Sequence, residues 1–436
     1  MLKKNLKEIG NYLGIQVDVE SELSSVAFDS RKVEKGGLFF ALEGEKHDGH
    51  DFLKEVATKG TLAAVVSKSY VGPNYGLILI PVENVRKSLQ SLAKWIHQES
   101  SPYVLAITGT VGKTTTKEFI ADLLSERYRI AKTAGSANSQ VSLPLMLLNQ
   151  TETVDMLVLE MGMSLPGEIT RLVDIAPPNF GALTKVSLVH SENFGDLDAI
   201  AEAKMEMFQK TKAGLFNLET MDYPSVREAS LRKTFYSITD PHADYFLKKD
   251  GEKVIILEKG AESPPITVPF QATHLLENFL CAAAIARMHE LTWDEIQRGA
   301  AKMKPYLHRF QVFTRNGIHY VDDSYNASVV SVKAALDNLP KGKKTIALLG
   351  DMRELGKFSK SCHEEVACHA LEIVDHLLCI GDETEPMVKI FEEAGKRVEK
   401  VSSREEAKKR IAAVAQEGDV VLIKGSNSLQ LWKTLD

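Results

Sequence analysis

A loop rich in glycine and threonine carries the clearest chemical signal in the sequence. Residues 109–115 read Gly-Thr-Val-Gly-Lys-Thr-Thr, after the apolar stretch Tyr103–Thr108 and before a segment with apolar residues at helical spacing. A strand, a glycine turn and a helix in this order let backbone N–H groups converge on an anion at the positive end of the helix. Lys113 is placed to bridge the β and γ phosphates of a nucleotide, and Thr114 to hold Mg²⁺. The residues expected to bind the nucleotide here are Gly109, Thr110, Gly112, Lys113, Thr114 and Thr115.

This loop differs from the common Gly-x4-Gly-Lys-[Ser/Thr] form. Only two residues separate Gly109 from Gly112, and Ile107 stands where the first glycine belongs. The spacing therefore disfavours a generic GTPase or motor protein. The alternative is a glycine turn that binds nothing, but the lysine, the two threonines and the flanking elements together favour a phosphate site.

Glu160 is the next candidate, because it ends the apolar run Met156–Leu159. A carboxylate at the carboxyl edge of a parallel strand points into the ligand crevice of such a sheet. There it could hold Mg²⁺, which prefers oxygen ligands. The alternative is a surface cap for the helix predicted near Gly167–Ile169.

His190 and Lys204 could also contribute to this site. His190 follows another predicted strand, and Lys204 lies in the helical stretch Ile200–Phe208. Taken alone, each fits equally well as a capping histidine or a solvated helix lysine.

Length and composition favour a large globular enzyme over a nucleic-acid or membrane protein. The 436 residues suggest two to four domains, and we expect three. The net charge of −6 gives no basic field for a phosphate backbone, so we expect no nucleic acid partner. No apolar run approaches roughly 18 residues, so we expect no membrane span and a cytoplasmic protein. Nothing in the sequence demands more than a monomer.

Four cysteines are too few for a disulfide framework, and we expect reduced thiols. Cys362 and Cys368 are each followed by histidine, but positions six apart lie about 240° around a helix and cannot share a metal.

The apolar runs predict an α/β chain of three domains. A small α/β domain spans residues 1–98, with the polar stretch Gln98–Pro102 as a linker. A central ATPase domain with a mostly parallel sheet spans 99–308, and a Rossmann-like domain spans 309–436. The predicted strands lie near residues 38–42, 63–66, 77–80, 103–108, 156–159, 181–184, 319–321, 345–349, 376–380 and 419–423.

In order and spacing, the candidate residues resemble those of the Mur ligases, the amide-forming enzymes of peptidoglycan precursor synthesis. The resemblance covers essentially the whole chain and rests on the phosphate loop, Glu160, His190, Ala203-Lys204, His274, Asn278, Arg309 and Asp322–Ala327. It implies ATP and Mg²⁺ as cofactors. Thr114, Glu160, His190 and a carbamylated Lys204 would hold the metal, Asn278 would contact adenine, and Arg309 and Asp323 would reach the phosphates and ribose.

The resemblance also implies substrates, namely UDP-N-acetylmuramoyl tripeptide and D-alanyl-D-alanine. Ser30 and Arg31 belong to a stretch similar to the family's uridine-nucleotide domain, which argues against the folylpolyglutamate synthetases. We expect Asn326 to bind substrate, and Lys424 and Ser426 to bind the dipeptide, with a solvated strand-end lysine as the alternative for Lys424. Two further alternatives stay open: a ligase adding a diamino acid to a UDP-muramoyl dipeptide, and an ATP-binding regulator without turnover.

Several positions depart from the family pattern. Val111 replaces the loop's usual asparagine, His308 the glycine before the arginine, and Ser328-Val329 an Asn-Pro pair. Residues 136–139 only partly match a Gly-Asn-x-Asn stretch. Because Val111 keeps the backbone donors, we expect ATP binding to survive.

Overall fold

The computed structural model describes residues 4–44, 46–150, 152–188 and 192–436. Within these ranges the strands form three sheets, of four, ten and six strands. This confirms the predicted α/β class and three-domain architecture, whereas the exact boundaries at 98 and 308 stay predictions. Across the described ranges, no helix is long and apolar enough to cross a membrane.

The first sheet is parallel, with strand order β1-β2-β3-β4. A small apolar core of this region contains Phe39 of the sheet together with Val56 and Leu77. The elements of this region are α1 (Leu6–Tyr12), β1 (Val26–Ala27), β2 (Leu38–Phe40), α2 (Leu53–Thr58), β3 (Ala63–Ser67), β4 (Ile78–Val82) and α3 (Val85–Ser100).

The predicted linker at 98–102 is partly wrong, because α3 continues to Ser100. Two serine hydroxyls bond the carbonyls of its last turn, Ser100 to His97 and Ser101 to Gln98, and so extend the helix. Ser101 then ends it in the left-handed conformation, at φ 39°.

The central sheet has the order β13-β12-β11-β10-β9-β8-β5-β7-β6, with β14 beside β12. Its apolar strands, such as β5 and β7, are buried along almost their whole length, as expected for strands covered on both faces. The elements are β5 (Tyr103–Thr108), α4 (Lys113–Leu124), β6 (Ile130–Lys132), α5 (Ser142–Leu148), β7 (Met156–Glu160), α6 (Glu168–Ile175), β8 (Phe180–Leu183), α7 (Leu197–Met205), β9 (Ala213–Asn217), α8 (Pro224–Arg227), β10 (Arg232–Ser237), β11 (Tyr245–Asp250), β12 (Lys253–Glu258), β13 (Ala261–Glu262), β14 (Ile266–Thr267), α9 (Thr273–Met288) and α10 (Trp293–Ala300).

The third sheet has the order β15-β16-β20-β17-β18-β19, and only the β15–β16 pair is antiparallel. The carboxyl ends of β16, β17 and β20 therefore meet at one edge. The elements are β15 (Gln311–Arg315), β16 (Ile318–Asp322), α11 (Val329–Asp337), β17 (Thr345–Gly350), α12 (Ser359–Ala370), β18 (His376–Ile380), α13 (Glu385–Glu393), β19 (Arg397–Val401), α14 (Arg404–Val414) and β20 (Val420–Lys424).

The chain divides into two compact units built from alternating segments. The first contains residues 1–106, 128–181 and 206–212, and the second contains residues 107–127, 182–205 and 213–436. The phosphate loop and the whole C-terminal sheet belong to the second unit, and Glu160 belongs to the first.

Candidate active site

Two positions in the phosphate loop accept only glycine. Gly109 has φ +147°, and a Cβ there would lie 1.8 Å from the Oγ1 of Thr184. Gly112 has φ +88°, and its Cβ would lie 2.5 Å from the Oδ1 of Asn278. The loop backbone thus passes closely against the residues that follow β8 and against α9, in conformations that residues with side chains disfavour.

The chain that follows β8 holds this loop in place. Thr184 Oγ1 donates to the carbonyl of Val111 at 2.7 Å, and the N–H of Thr110 donates to the carbonyl of Lys185 at 2.6 Å. The hydroxyl of Thr110 donates to the carbonyl of Ser187 at 3.1 Å. Val111 takes part through its backbone, so its unusual side chain does not disturb the loop. Thr184 is a supporting residue that the sequence did not reveal.

Two lysines converge on the loop. Lys113 Nζ donates to the carbonyls of Gly109 and Thr110, at 2.9 and 3.1 Å. Lys204 Nζ reaches the same Gly109 carbonyl, at 3.0 Å, from α7. Lys204 is only 3% exposed, so the solvated alternative is wrong. Burial, and then the charge of Lys113, hold the pKa of Lys204 well below its usual value.

Arg309 and Asn278 also contact the loop and the helix that follows it. One Arg309 Nη donates to Thr114 Oγ1 at 3.1 Å, while the guanidinium lies 4.1 Å above the ring of Tyr325. The hydroxyl of Thr116 donates to Asn278 Oδ1 at 3.3 Å. The structure therefore brings these two predicted residues to the phosphate loop across long stretches of sequence.

The edge of the third sheet gathers the remaining C-terminal candidates. Lys424 is 2% exposed, and its Nζ donates to Asp323 Oδ2 at 2.5 Å and to the Asn326 carbonyl at 3.0 Å. The solvated alternative for Lys424 is therefore wrong, because the lysine forms an internal ion pair. Ser426 is also buried, and its N–H donates to the carbonyl of Asp351.

In the first compact unit, Glu160 ends β7 and is 1% exposed. Asn138 Nδ2 donates to Glu160 Oε1 at 2.7 Å, and the Glu160 N–H donates to Thr133 Oγ1 at 3.1 Å. The surface-cap alternative is wrong, because Glu160 is buried and the carboxylate of Glu206 accepts the N–H groups of Gly167 and Thr170 at the start of α6. Asn138 lies in the stretch that matched the family pattern only in part, and the structure shows that it orients Glu160.

A pocket with a volume of about 420 Å³ lies beside β1 in the same unit. Among the described residues, Ser25 Oγ is buried there without a hydrogen-bond partner. Asn149 pairs with both backbone groups of Val26, at 2.9 and 2.8 Å. The predicted Ser30 and Arg31 do not line this pocket, since Ser30 bonds Glu55 and exposed Arg31 bonds Asp29. Polar lining residues are Ser24, Ser25, Asp29, Lys32, Glu34 and Asn149.

His190 lies outside the described residues. Within the described ranges, no group of three or more His, Cys, Asp or Glu side chains could hold a metal ion. Cys362 and Cys368 are free, as expected, and so are Cys281 and Cys379.

Three family descriptions match successive parts of the chain. Residues 22–96 match the Mur ligase family catalytic domain, residues 107–286 the Mur ligase middle domain, and residues 308–427 the Mur ligase glutamate ligase domain.

Similar proteins cover nearly the full length. The UDP-N-acetylmuramoyl-tripeptide–D-alanyl-D-alanine ligase of Bacillus subtilis is 32% identical, with 99% of this chain and 97% of the relative covered. The ligase of the same name from Rickettsia prowazekii is 30% identical, with 99% of both covered.

Solved structures of similar proteins have the same fold over nearly the whole chain. The MurF ligase of Thermotoga maritima in complex with ADP has a TM-score of 0.80 at 29% identity, covering 94% of this chain and 96% of that one. A MurF structure from Acinetobacter baumannii, with a TM-score of 0.87 at 23% identity over 100% of this chain and 98% of that one, shares the fold. The chain therefore belongs to the Mur ligase family of ATP-dependent amide ligases in peptidoglycan synthesis.

Proposed function

We propose that this ligase joins D-alanyl-D-alanine to UDP-N-acetylmuramoyl tripeptide, with conversion of ATP to ADP and phosphate. The observation that carries the proposal is the phosphate loop, where Lys113 and Lys204 donate to the Gly109 carbonyl and Arg309 donates to the Thr114 hydroxyl. The full-length similarity to tripeptide–D-alanyl-D-alanine ligases supports the choice of substrates.

The loop residues would hold the triphosphate. Backbone N–H groups at the start of α4 would donate to the phosphate oxygens, and the helix dipole favours negative charge there. Lys113 and Arg309 would neutralise the charge that spreads over the phosphate oxygens during transfer. Asn278 would contact adenine, and Asp323 would accept from the ribose hydroxyls.

The donors fit a hard cation such as Mg²⁺, and we propose Thr114, Glu160, His190 and Lys204 as the residues that hold it. Thr114 and Glu160 supply buried oxygen atoms. Lys204 supplies oxygen only after reaction with CO₂, and a lowered pKa leaves the neutral amine that this reaction needs. When bound, the cation would neutralise phosphate charge during transfer.

The chemistry then follows from two attacks. The terminal carboxylate of the tripeptide attacks the γ-phosphorus, the bond to the ADP oxygen breaks, and an acyl phosphate forms. The amine of D-alanyl-D-alanine attacks the acyl carbon, loses a proton and expels phosphate, leaving an amide.

The uridine nucleotide and the dipeptide would bind to the N-terminal and C-terminal parts of the chain, respectively. We propose that the pocket beside β1 binds the uridine nucleotide, with Ser25 Oγ as an available hydrogen-bonding group and Ser30 and Arg31 nearby in sequence. Asn326, Lys424 and Ser426 would form the dipeptide site at the edge of the third sheet. Because ATP and the uridine nucleotide are cytoplasmic metabolites, we propose a cytoplasmic enzyme that acts as a monomer.

Isotope transfer tests the acyl phosphate directly. A tripeptide substrate with ¹⁸O in its terminal carboxylate should deliver one ¹⁸O atom to the released phosphate, because the attacking oxygen leaves with phosphorus. Mass spectrometry of phosphate and of the UDP-muramoyl pentapeptide would read both products. Pentapeptide formation with unlabelled phosphate would contradict the mechanism.

A further inference from the structure

Arg309 sits between two residues in an unfavourable backbone conformation. His308 has φ +60° and Phe310 has φ +53°, and neither is glycine. Bulky residues with positive φ are uncommon in proteins and persist only where the surroundings hold them in place. The turn 308–310 therefore depends on contacts that outweigh its backbone strain.

Side chains from two C-terminal elements hold His308. Its Nδ1 lies 2.7 Å from Asp322 Oδ2, so Nδ1–H donates to the buried carboxylate that ends β16. Its ring stacks on Trp432, with centroids 4.9 Å apart and planes 17° from parallel. The N–H of Tyr325 donates to the His308 carbonyl at 3.1 Å.

Asp322 is itself fixed, which makes it a rigid anchor. Its Oδ1 accepts both the N–H and the hydroxyl of Ser324, leaving Oδ2 for His308. On the other side of the turn, the Phe310 N–H donates to Asp323 Oδ1 at 3.1 Å. Two consecutive carboxylates thus hold the residues on either side of Arg309.

The result of this arrangement is a fixed guanidinium at the phosphate loop. Arg309 donates to Thr114 Oγ1 and stacks over Tyr325. Its Nε is buried and, among the described residues, has no hydrogen-bond partner. The guanidinium therefore has a free donor beside the threonine at the start of α4.

We propose that His308 is a positioning residue for ATP binding, which acts through Asp322 and Trp432 to fix Arg309 beside the phosphate loop. This inference rests on the proposed function only in taking the loop as the ATP site. The left-handed conformation strains the backbone at His308, and the contacts of its side chain with Asp322 and Trp432 offset that strain. The same contacts hold the guanidinium of Arg309 in position before ATP binds.

The test measures the affinity of the full chain for a non-hydrolysable ATP analogue with Mg²⁺ by calorimetry. His308→Ala should weaken binding about tenfold, a typical effect of losing one charge-assisted hydrogen bond. His308→Asn should retain most of the affinity, since asparagine tolerates positive φ and its amide can donate to Asp322. The double variant H308A/R309A should bind no more weakly than Arg309→Ala alone, because both remove the same contact.

His369 provides a matched control in the same compact unit. Its Nε2 lies 2.7 Å from Asp337 Oδ1, the same distance as between His308 and Asp322. Both residues of this pair are far from the phosphate loop in the sequence. His369→Ala should leave analogue affinity unchanged. A catalytic assay should show the ATP KM of His308→Ala rising, with the KM of the muramoyl peptide unaltered, a split that general destabilisation would not produce.

Three outcomes would overturn the inference: unchanged affinity in His308→Ala, effects of H308A and R309A that add, or equal losses in His308→Asn and His308→Ala. If the affinities follow the expected pattern but no pentapeptide forms, the positioning role stands and the proposed substrates fail. Should His308→Ala not fold, Asp322→Asn and Trp432→Phe test the same anchor from its other partners.

Discussion

The ε-amino group of Lys204 shows how environment sets the chemistry of a single residue. The side chain is almost fully buried, its Nζ donates to the Gly109 carbonyl, and its pKa is depressed. A positive charge held there beside Lys113 is costly, and stability alone would favour an apolar residue. A buried lysine next to the phosphate loop is therefore best explained by function.

Replacing Lys204 with methionine should stabilise the fold while abolishing ligation. The folded-state pKa of Lys204 lies below the unfolded value of 10.5, so the unfolded chain binds more protons between these two values, and wild-type stability falls as pH drops through that window. In CO₂-free buffer we expect Lys204→Met to melt roughly 2–4 °C above wild type at pH 7, with a smaller difference at pH 10.

Lys360→Met is the matched control, because Lys360 is largely exposed and its Nζ lies 3.7 Å from the carboxylate of Glu364, one turn away. It should change neither the melting temperature nor the activity at either pH. A Lys204→Met variant that melts below wild type at pH 7 would contradict the burial cost.

Gly112→Ala should weaken ATP binding through two effects, a steric clash and backbone strain, which a control variant can separate. The new Cβ would sit 2.5 Å from Asn278 Oδ1, and φ +88° would be strained. We expect the ATP KM to rise at least about tenfold, because a shift of Asn278 or of the loop loses a hydrogen bond to the nucleotide. Gly395→Ala isolates the strain, since Gly395 has φ +67° and a Cβ added there would meet no atom within 4 Å beyond its chain neighbours. It should cost about 1–2 kcal/mol of stability and leave the ATP KM unchanged; equal KM values for both variants would contradict the close approach.

At the scale of elements, the carboxyl ends of β16 and β20 place Asp323 and Lys424 in contact. Parallel strands that neighbour each other bring their last residues to one sheet edge, and the pairing of Asp322 with Ile423 sets these two side chains together. The Lys424–Asp323 ion pair thereby links the expected dipeptide site to the expected ribose contact.

The ion pair between Lys424 and Asp323 changes the KM values that we expect for Lys424→Ala. The sequence alone favours a large rise in the dipeptide KM and little change in that of ATP. Because Lys424 Nζ is engaged by Asp323 and Asn326, removal would leave a carboxylate without its partner, a loss that typically costs about 3–5 kcal/mol when the pair is buried. We therefore expect the ATP KM to rise at least as much as the dipeptide KM.

Initial rates with each substrate varied in turn would distinguish these expectations. Lys400→Ala serves as the control, since that lysine forms an exposed pair with Glu385, and it should leave both KM values at the wild-type level. A rise confined to the dipeptide KM would favour direct binding of the dipeptide by Lys424.

Local patterns predicted ten of the twenty strands that the structure describes, and they could not predict contacts between residues far apart in the sequence. The strand Tyr103–Thr108 matches its predicted bounds because an apolar run followed by glycines is a local signal. The burial of Lys204 could not be read from α7, since it depends on a loop 95 residues away. The support of Glu160 by Asn138 and the anchor of His308 likewise join residues that no spacing rule connects.

At the scale of the whole molecule, the chain order and the compact units do not coincide. The chain passes between the units at residues 106, 127, 181, 205 and 212, and the first of these points lies inside β5, just before the phosphate loop. Sequence patterns predicted three successive domains, and the three sheets agree.

Phosphate release from ATP and Mg²⁺ tests the proposed function most directly. The substrate pairs to compare are UDP-muramoyl tripeptide with and without D-alanyl-D-alanine, and UDP-muramoyl dipeptide with lysine or diaminopimelate. We predict sustained release only with tripeptide and D-alanyl-D-alanine together, because both the carboxylate and the amine are needed for turnover. Release only with dipeptide and a diamino acid would place the enzyme one step earlier, and no release with either pair would contradict the assignment as an active ligase.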